Sequence, residues 1–151
     1  MSRAVAVVCV LLFALMAQTT RAEELLMTRS TQTFPEAMLT LQQAIGQQGY
    51  TLSRVQRVDI GLTQSGYSTD KYRVVFLGRS GEIEALSESH PELIPYLPLK
   101  IAIFAEDEET VLVTANPTRF SDFFPQPELK PLFKRWERDL RFMMEAVRQA
   151  E

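Results

Sequence analysis

Short stretches of alternating apolar and polar residues recur along the chain, and this period of two places successive side chains on opposite faces of a β-strand. The stretches span residues 25–33, 50–58, 72–77, 99–105 and 110–115. The run YRVVFL at 72–77 is rich in the β-branched and aromatic residues that favour strands. The acidic residues 106–109 separate the last two stretches and are few enough for a hairpin turn. The pattern therefore predicts five strands.

A helical period of three to four residues appears between the first two predicted strands. Its apolar positions are Phe34, Met38, Leu41 and Ile45. Thr33 and Glu36 form the pattern of a capping box at the start of this helix, and Gly49 is suited to end it. The sequence therefore predicts a helix between residues 33 and 49.

A second helix is predicted before the fourth strand. Ser80 is positioned to cap it, and Glu82 and Glu84 lie in the first turn, where the positive end of the helix dipole favours acidic side chains. Residues 59–66 predict a turn or one short helix. The resulting order is β-α-β-β-α-β-β followed by a long C-terminal helix. This order predicts an α+β fold with two layers and a mainly antiparallel sheet.

The third, fourth and fifth predicted strands carry apolar residues on both faces. In the third strand, Val75 and Leu77 lie on one face, whereas Val74 and Phe76 lie on the other. Helices that connect the strands of a two-layer fold cover only one face of the sheet. The second apolar face therefore needs a cover from elsewhere.

Residues 127–151 are a candidate for that cover. Their apolar residues recur every three or four positions and so form one stripe along a helix. The stripe contains Leu129, Phe133, Trp136, Leu140 and Met143. Two interpretations stay open. Either the helix packs on the domain formed by residues 23–126, or its stripe, whose spacing is also heptad-like, binds a second copy of the chain or another exported protein.

Residues 1–22 have the layout of a secretory signal peptide. Arg3 supplies a positive charge, residues 4–17 form an uninterrupted apolar run, and small residues precede a cleavage position after Ala22. A run of about 14 residues is shorter than the roughly 20 that cross a bilayer. The sequence therefore predicts a periplasmic or secreted protein with no stable membrane insertion after cleavage. A retained membrane anchor is the alternative.

Charge and cysteine content exclude several classes of function. The chain has 16 basic and 19 acidic residues, and loss of Arg3 and Arg21 with the signal peptide leaves a net charge of −5. Nucleic-acid binders usually carry the opposite sign, so no nucleic-acid partner is predicted. The single cysteine, Cys9, is also removed, so the mature chain has no disulfide and no thiolate ligand. No phosphate-binding loop or dinucleotide motif occurs, and neither a cofactor nor a metal is expected.

His90 is the only histidine, and histidine is the side chain that ordinarily titrates near neutral pH. Residues 89–92 repeat the hydroxyl-x-Pro-Glu pattern of residues 33–36, which predicts a helix start with His90 at the first helical position, half buried. The alternative is a general base or a lone metal ligand. A catalytic triad would also need an activated serine, and the only glycine-flanked one nearby, Ser80, lacks the nucleophile-elbow spacing.

Several segments resemble the domain-of-unknown-function 302 family. They are residues 59–66, the strand YRVVFLG at 72–78, LPLKIAI at 97–103, and Asn116-Pro117. The similarity covers residues 27–117, and the Leu-Pro-Leu-Lys sequence leading into a strand is its most specific element. The matched positions are Asp59, Gly66, Gly78, Leu97, Pro98, Lys100 and Asn116. The resemblance implies the same two-layer α+β fold and a tendency to form dimers, and it implies no established activity.

The chain departs from that family at two positions. Ile60 stands where many members have histidine, and Arg79-Ser80 stands where many have Asn-Pro. These differences argue against an inherited enzymatic activity. We therefore expect an exported, non-enzymatic binding module of unknown ligand that forms a homodimer. The expected ligand-binding residues are Asp59, Tyr67, Arg73, His90 and Lys100.

Two further functions remain as alternatives. One is an enzyme that uses His90 with a carboxylate such as Asp59. The other is a structural module that binds protein partners through its C-terminal helix.

Overall fold

The five predicted strands form a single antiparallel sheet in the computed structural model, which describes residues 23–150. The strands are β1 (Leu25–Ser30), β2 (Thr51–Arg57), β3 (Tyr72–Gly78), β4 (Leu99–Glu106) and β5 (Glu109–Ala115). Their spatial order is β1-β5-β4-β3-β2, and every neighbouring pair is antiparallel. The predicted signal peptide lies outside the described residues.

Four α-helices and three short 3₁₀ segments connect and follow the strands. The helices are α1 (Phe34–Gln47), α2 (Val58–Gln64), α3 (Glu82–Ser89) and α4 (Lys130–Gln149). The 3₁₀ segments are Pro91–Tyr96, Pro117–Asp122 and Pro127–Leu129. The predicted α+β fold is confirmed. For residues 59–66 the sequence predicted either a turn or a short helix, and the structure has the short helix α2.

Local sequence signals set both ends of α1. The backbone amide of Thr33 donates a hydrogen bond to Glu36 Oε2 at 3.0 Å, as the predicted capping box requires. A hydrogen bond from the Thr33 hydroxyl, and then this backbone bond, lower the pKa of Glu36 below its ordinary value. Gly49 follows the helix with φ of +73°, a left-handed conformation that glycine adopts without steric cost.

The predicted caps at Ser80 and Ser89 are wrong. Gly81, with φ of +77°, occupies the N-cap position of α3, because the chain must turn sharply there from β3 into the helix. The Ser89 hydroxyl donates to the carbonyl oxygen of Ala85 at 2.8 Å and therefore belongs to the last turn of α3. His90 is consequently the residue between α3 and the 3₁₀ segment that follows, not the first position of a helix.

The hydrophobic core lies between the helices and one face of the sheet, which we call the inner face. From the sheet it receives Leu26, Val75, Leu77, Ile101, Ile103 and Leu112. From α1 and α4 it receives Leu41, Ile45, Phe133, Trp136, Leu140 and Met143. The apolar side chains on the inner face of the strands thus pack against the apolar stripes predicted for the helices. Burial of these side chains is the main stabilising contribution to the fold.

The opposite face of the sheet, which we call the outer face, is also largely apolar. Its central residues form a row across the five strands that we call the middle row: Met27, Val113, Ala102, Val74 and Gln56. A second row beside it contains Leu25, Ala115, Lys100, Phe76 and Arg54. The Leu25 and Met27 side chains are 53% and 58% exposed.

The C-terminal helix covers the inner face and not the outer one. It packs beside α1 and against β1, and the Ser30 hydroxyl of β1 donates to the carbonyl oxygen of Val147 at 2.9 Å. The expected cover for the second apolar face is therefore absent from the described residues. The reason is that α1 is too narrow to cover five strands, so α4 completes the helical layer that α1 begins.

Candidate functional site

Asp59 and Arg73 are the two predicted site residues that the fold brings together. They form an ion pair in which Arg73 Nη1 donates to Asp59 Oδ1, and both side chains are largely buried. This hydrogen bond lowers the pKa of Asp59 below its ordinary value. The Arg73 guanidinium also lies 5.6 Å from the centre of the Phe34 ring. Asp59 is thus a paired carboxylate held near the start of β3.

His90 lies in the connection that follows the end of β3, away from Asp59 along that strand. Its Nδ1 is 3.2 Å from Glu92 Oε1, and the same oxygen accepts a hydrogen bond from Gln126 Nε2 at 3.1 Å. The hypothesised pairing of His90 with Asp59 is not made, since each has a different partner. Among the described residues no serine or threonine hydroxyl is hydrogen-bonded to His90.

Tyr67 and Lys100 are separate from both of these pairs. Tyr67 is 65% exposed on the loop after α2. Lys100 projects from β4 on the outer face and has no ion pair among residues 23–150. The five predicted residues therefore form one ion pair and three isolated groups, not a single site.

Several other positions matched to the family have structural roles. Gly66 has φ of +88°, which few other residues adopt. Asn116 is buried; its Oδ1 accepts from the Thr118 amide at 3.0 Å, and its Nδ2 donates to the carbonyl oxygen of Glu23 at 2.9 Å. The Leu97–Pro98 peptide bond is cis. Lys100 differs from them because its side chain is exposed and unpaired among the described residues.

A groove of about 380 Å³ lies at one end of the outer face, and we call it the outer groove. Its floor is formed by Val74, Ala102 and Val113 of the middle row, and its walls include Tyr96 and Phe120 from two 3₁₀ segments. Lys100 is the one lining residue with a charged side chain. The groove thus combines an apolar surface with a single cation.

Sequence reasoning missed the two aromatic walls of this groove. Tyr96 and Phe120 are 24 positions apart, and neither belongs to a periodic pattern. The centres of their rings lie 5.2 Å apart only because the 3₁₀ segments before β4 and after β5 lie at the same end of the sheet. No local signal in the sequence could have paired them.

Sequence reasoning also missed a buried polar cluster. Asp139 is 2% exposed, and its carboxylate accepts hydrogen bonds from the Tyr50 hydroxyl at 2.9 Å and from Arg79 at 3.1 Å. The Arg79 guanidinium stacks over the Tyr50 ring at 4.7 Å. Burial, and then the bond to Asp139, raise the pKa of Tyr50 above its ordinary value. The sequence did contain a signal of this cluster, because the acidic residue Asp139 falls on the apolar stripe of α4, between Trp136 and Met143.

A larger concavity, of about 460 Å³, lies between β1 and α4. Its charged lining residues are already paired. Arg141 bonds Glu137 and Glu23, and Glu145 bonds Arg148. This concavity therefore offers no uncompensated charge to a ligand.

Two kinds of feature are absent from residues 23–150. No group of three or more histidine, cysteine or acidic residues is arranged to hold a metal ion. Within the same range, none of the helices combines the length and the apolar composition that a membrane span needs.

The chain is therefore an α+β protein in which helices cover one face of a five-stranded antiparallel sheet and the other face is largely apolar. The family model described as "Domain of unknown function DUF302" matches residues 26–147, and the chain belongs to this family. The match includes most of α4, so the resemblance extends beyond its expected limit at residue 117. The C-terminal helix is therefore part of the family domain and not an addition to it.

A solved structure shows the same fold. It is the crystal structure of an uncharacterized conserved protein DUF302 from Bacillus stearothermophilus, with a TM-score of 0.77 and 17% sequence identity. The similarity covers 84% of this chain and 100% of that one. A search of curated proteins returned no match.

Proposed function

We propose that this protein is an exported, non-enzymatic binding module that works as a homodimer, with the outer face of its sheet as the surface where the second copy packs. One observation carries the proposal. The middle row of the outer face is apolar from Met27 to Val74, and no helix of the described chain covers it.

The composition of the outer face is unusual for a surface in contact with water. An antiparallel sheet with one buried face commonly presents polar side chains on the other. Here Gln56 is the single polar residue of the middle row, and at the other end of the row Met27 and the nearby Leu25 are more than half exposed. Contiguous apolar surface of this kind typically marks an interaction site.

The size of the outer face suits a second copy of the chain. Five strands at a spacing of about 4.8 Å and six residues of roughly 3.3 Å each give a flat area of about 480 Å². A stable interface buries about 800 Å² of accessible surface per partner. Because side chains make the accessible surface larger than the flat area, the outer face supplies most of the surface that a stable interface buries.

The arrangement of the titratable groups favours binding over catalysis. Asp59 is held in an ion pair with Arg73. His90 Nδ1 faces Glu92, which leaves Nε2 available, but among the described residues no serine or threonine hydroxyl is hydrogen-bonded to this histidine. A general base acts on a proton within hydrogen-bond reach, and residues 23–150 place no such nucleophile beside His90.

The proposal is tested by the mass of the mature protein, residues 23–151, in solution. We expect light scattering after size-exclusion chromatography to give twice the mass of one chain. Met27→Lys places a charge within the middle row, whereas Lys100 and Arg54 lie in the row at the end of the sheet. The variant should give the mass of a single chain, because an unpaired charge is costly to bury.

Leu39→Lys is the matched control. Leu39 is 57% exposed, almost as much as Met27, but it lies on α1, remote from the outer face. This variant should remain dimeric. A wild-type protein that is monomeric at every concentration measured, or a Met27→Lys variant that stays dimeric, would contradict the proposal.

A further inference from the structure

The floor and walls of the outer groove are fixed by the core beneath them. The Tyr96 ring lies 5.2 Å from Phe120 and 5.3 Å from Phe124, and Phe120 lies 5.6 Å from Phe133. Phe133 is fully buried in the core. This continuous set of aromatic contacts holds the walls in place, so the groove is preformed, as small-molecule sites usually are.

The groove has the size and surface of a site for a small, mainly apolar molecule. Its volume of about 380 Å³ is at the lower end of the range of roughly 300–1,000 Å³ that is typical of ligand pockets. The apolar floor of Val74, Ala102 and Val113 would contact a hydrocarbon chain or ring. Transfer of such a group from water onto this floor is favourable.

The groove also carries one charge, at Lys100. Lys100 has no acidic partner among residues 23–150, in contrast to Arg141 and Arg148, which are paired beside the larger concavity. On the same row of the outer face, Phe76 lies between Lys100 and Arg54, and Arg54 also has no acidic partner within that range. Lys100 in the groove lining, with Arg54 two strands away, favours an anionic head group over a positively charged one.

We infer that the outer groove binds a small amphipathic carboxylate, with its apolar chain on the floor and its carboxylate at the Lys100 ammonium. This inference deepens the proposed function, because it rests on the binding role proposed there and names the class of ligand. Because Val74, Ala102 and Val113 belong to the middle row, the bound chain would lie between them and the second copy, which would close the open side of the groove and shield the chain from water.

The test uses octanoate as the probe, with octylamine and octanol as comparators of the same chain length. Isothermal titration calorimetry on residues 23–151 should show saturable binding of octanoate, weaker binding of octanol and none of octylammonium. Lys100→Met should weaken octanoate binding about tenfold or more, because a hydrogen bond to a charged group contributes roughly 1.5–3 kcal/mol. Octanol binding should be unchanged in this variant.

Lys134→Met is the matched control, because Lys134 is exposed on α4, far from the outer face, and the chemical change is the same. It should bind octanoate like the wild type. Ala102→Leu fills the floor and should abolish binding with Lys100 still present. Thermal melting of each variant verifies that it is folded.

Three results would overturn the inference: no octanoate binding by the folded wild type, equal binding by Lys100→Met, or equal binding of octylammonium. Light scattering on the same samples separates this inference from the proposed dimer. A dimer that does not bind octanoate contradicts the ligand alone, whereas a monomer that binds it contradicts the dimer alone.

Discussion

At the scale of single residues, Asp139 shows how this domain tolerates a buried charge. A buried carboxylate is costly unless hydrogen bonds satisfy it, and removing one partner usually destabilises the fold. Asp139 accepts from Tyr50, Arg79 and Arg138, which are contributed by the segments before β2, after β3 and within α4. The cluster therefore fixes the position of α4 relative to the end of α1.

Substitution of Tyr50 gives a pH-dependent prediction. The pKa of Tyr50 is raised in the folded state, so above about pH 10, the ordinary tyrosine pKa, the unfolded chain binds fewer protons than the folded one. The free energy of unfolding therefore falls as pH rises above that value. We expect Tyr50→Phe to cost about 1 kcal/mol at neutral pH and to reduce this alkaline loss, as measured by urea unfolding between neutral pH and pH 11.

Tyr67→Phe is the control for this experiment, because Tyr67 is 65% exposed. It should follow the wild-type pH dependence. An alkaline loss of equal size in wild type and Tyr50→Phe would show that the buried phenol makes no contribution.

At the scale of elements, α4 determines whether the domain has a complete core. Its buried residues are Phe133, Trp136, Asp139, Leu140, Met143, Met144 and Val147. The stripe that could have bound a partner is thus buried within the chain, together with Leu129. Trp136 also donates through Nε1 to Glu82 Oε2 at 3.3 Å, which ties α4 to α3.

Two substitutions on α4 test this role. Trp136→Ala should lower the free energy of unfolding by about 3–5 kcal/mol, because it leaves a cavity in the core. Phe142→Ala removes an aromatic ring that is 49% exposed on the same helix and should cost only about 1 kcal/mol, because about half of the ring is buried. Urea unfolding measures both. Equal effects would mean that α4 is only loosely attached to the sheet.

Removal of the whole helix tests the same element more severely. Deletion of residues 127–151 exposes the inner face beside α1, and we expect an insoluble or unfolded product. A soluble, folded product that has lost only its ability to dimerise would instead support the alternative in which the helix serves as the interface.

At the scale of the whole molecule, the proposed export would determine in which compartment the protein encounters a ligand or a second copy. When the full chain is produced in a bacterium with a periplasm, we expect the protein in the periplasmic fraction, beginning at Glu23, because the apolar run of about 14 residues is too short for a stable span. Mass spectrometry of the intact protein checks this. A variant lacking residues 2–22 should stay in the cytoplasm. An uncleaved chain in the membrane fraction would instead indicate a retained anchor.

The periodic patterns of the sequence were sufficient to predict most elements. The strands of the sheet, the capping box of α1 and the apolar stripe of α4 were all predicted, because each depends on side chains close together in the chain. The errors at Ser80, Ser89 and His90 have one cause. Ser89 precedes Glu92 by three positions and Ser80 comes shortly before Glu82 and Glu84. Both patterns are typical of a helix start, but the path of the neighbouring segments decides whether a helix begins at that residue.

The sequence by itself thus determined the order of the elements, the face of each element that is apolar, and the absence of an intrachain disulfide, since the chain has a single cysteine. Only the tertiary structure decided that α4 covers the inner face, that Asp59 pairs with Arg73, and that Tyr96 and Phe120 meet over the middle row. The physical reason is that periodicity relates residues within one element. The choice of which apolar faces meet depends on contacts between residues far apart in the chain.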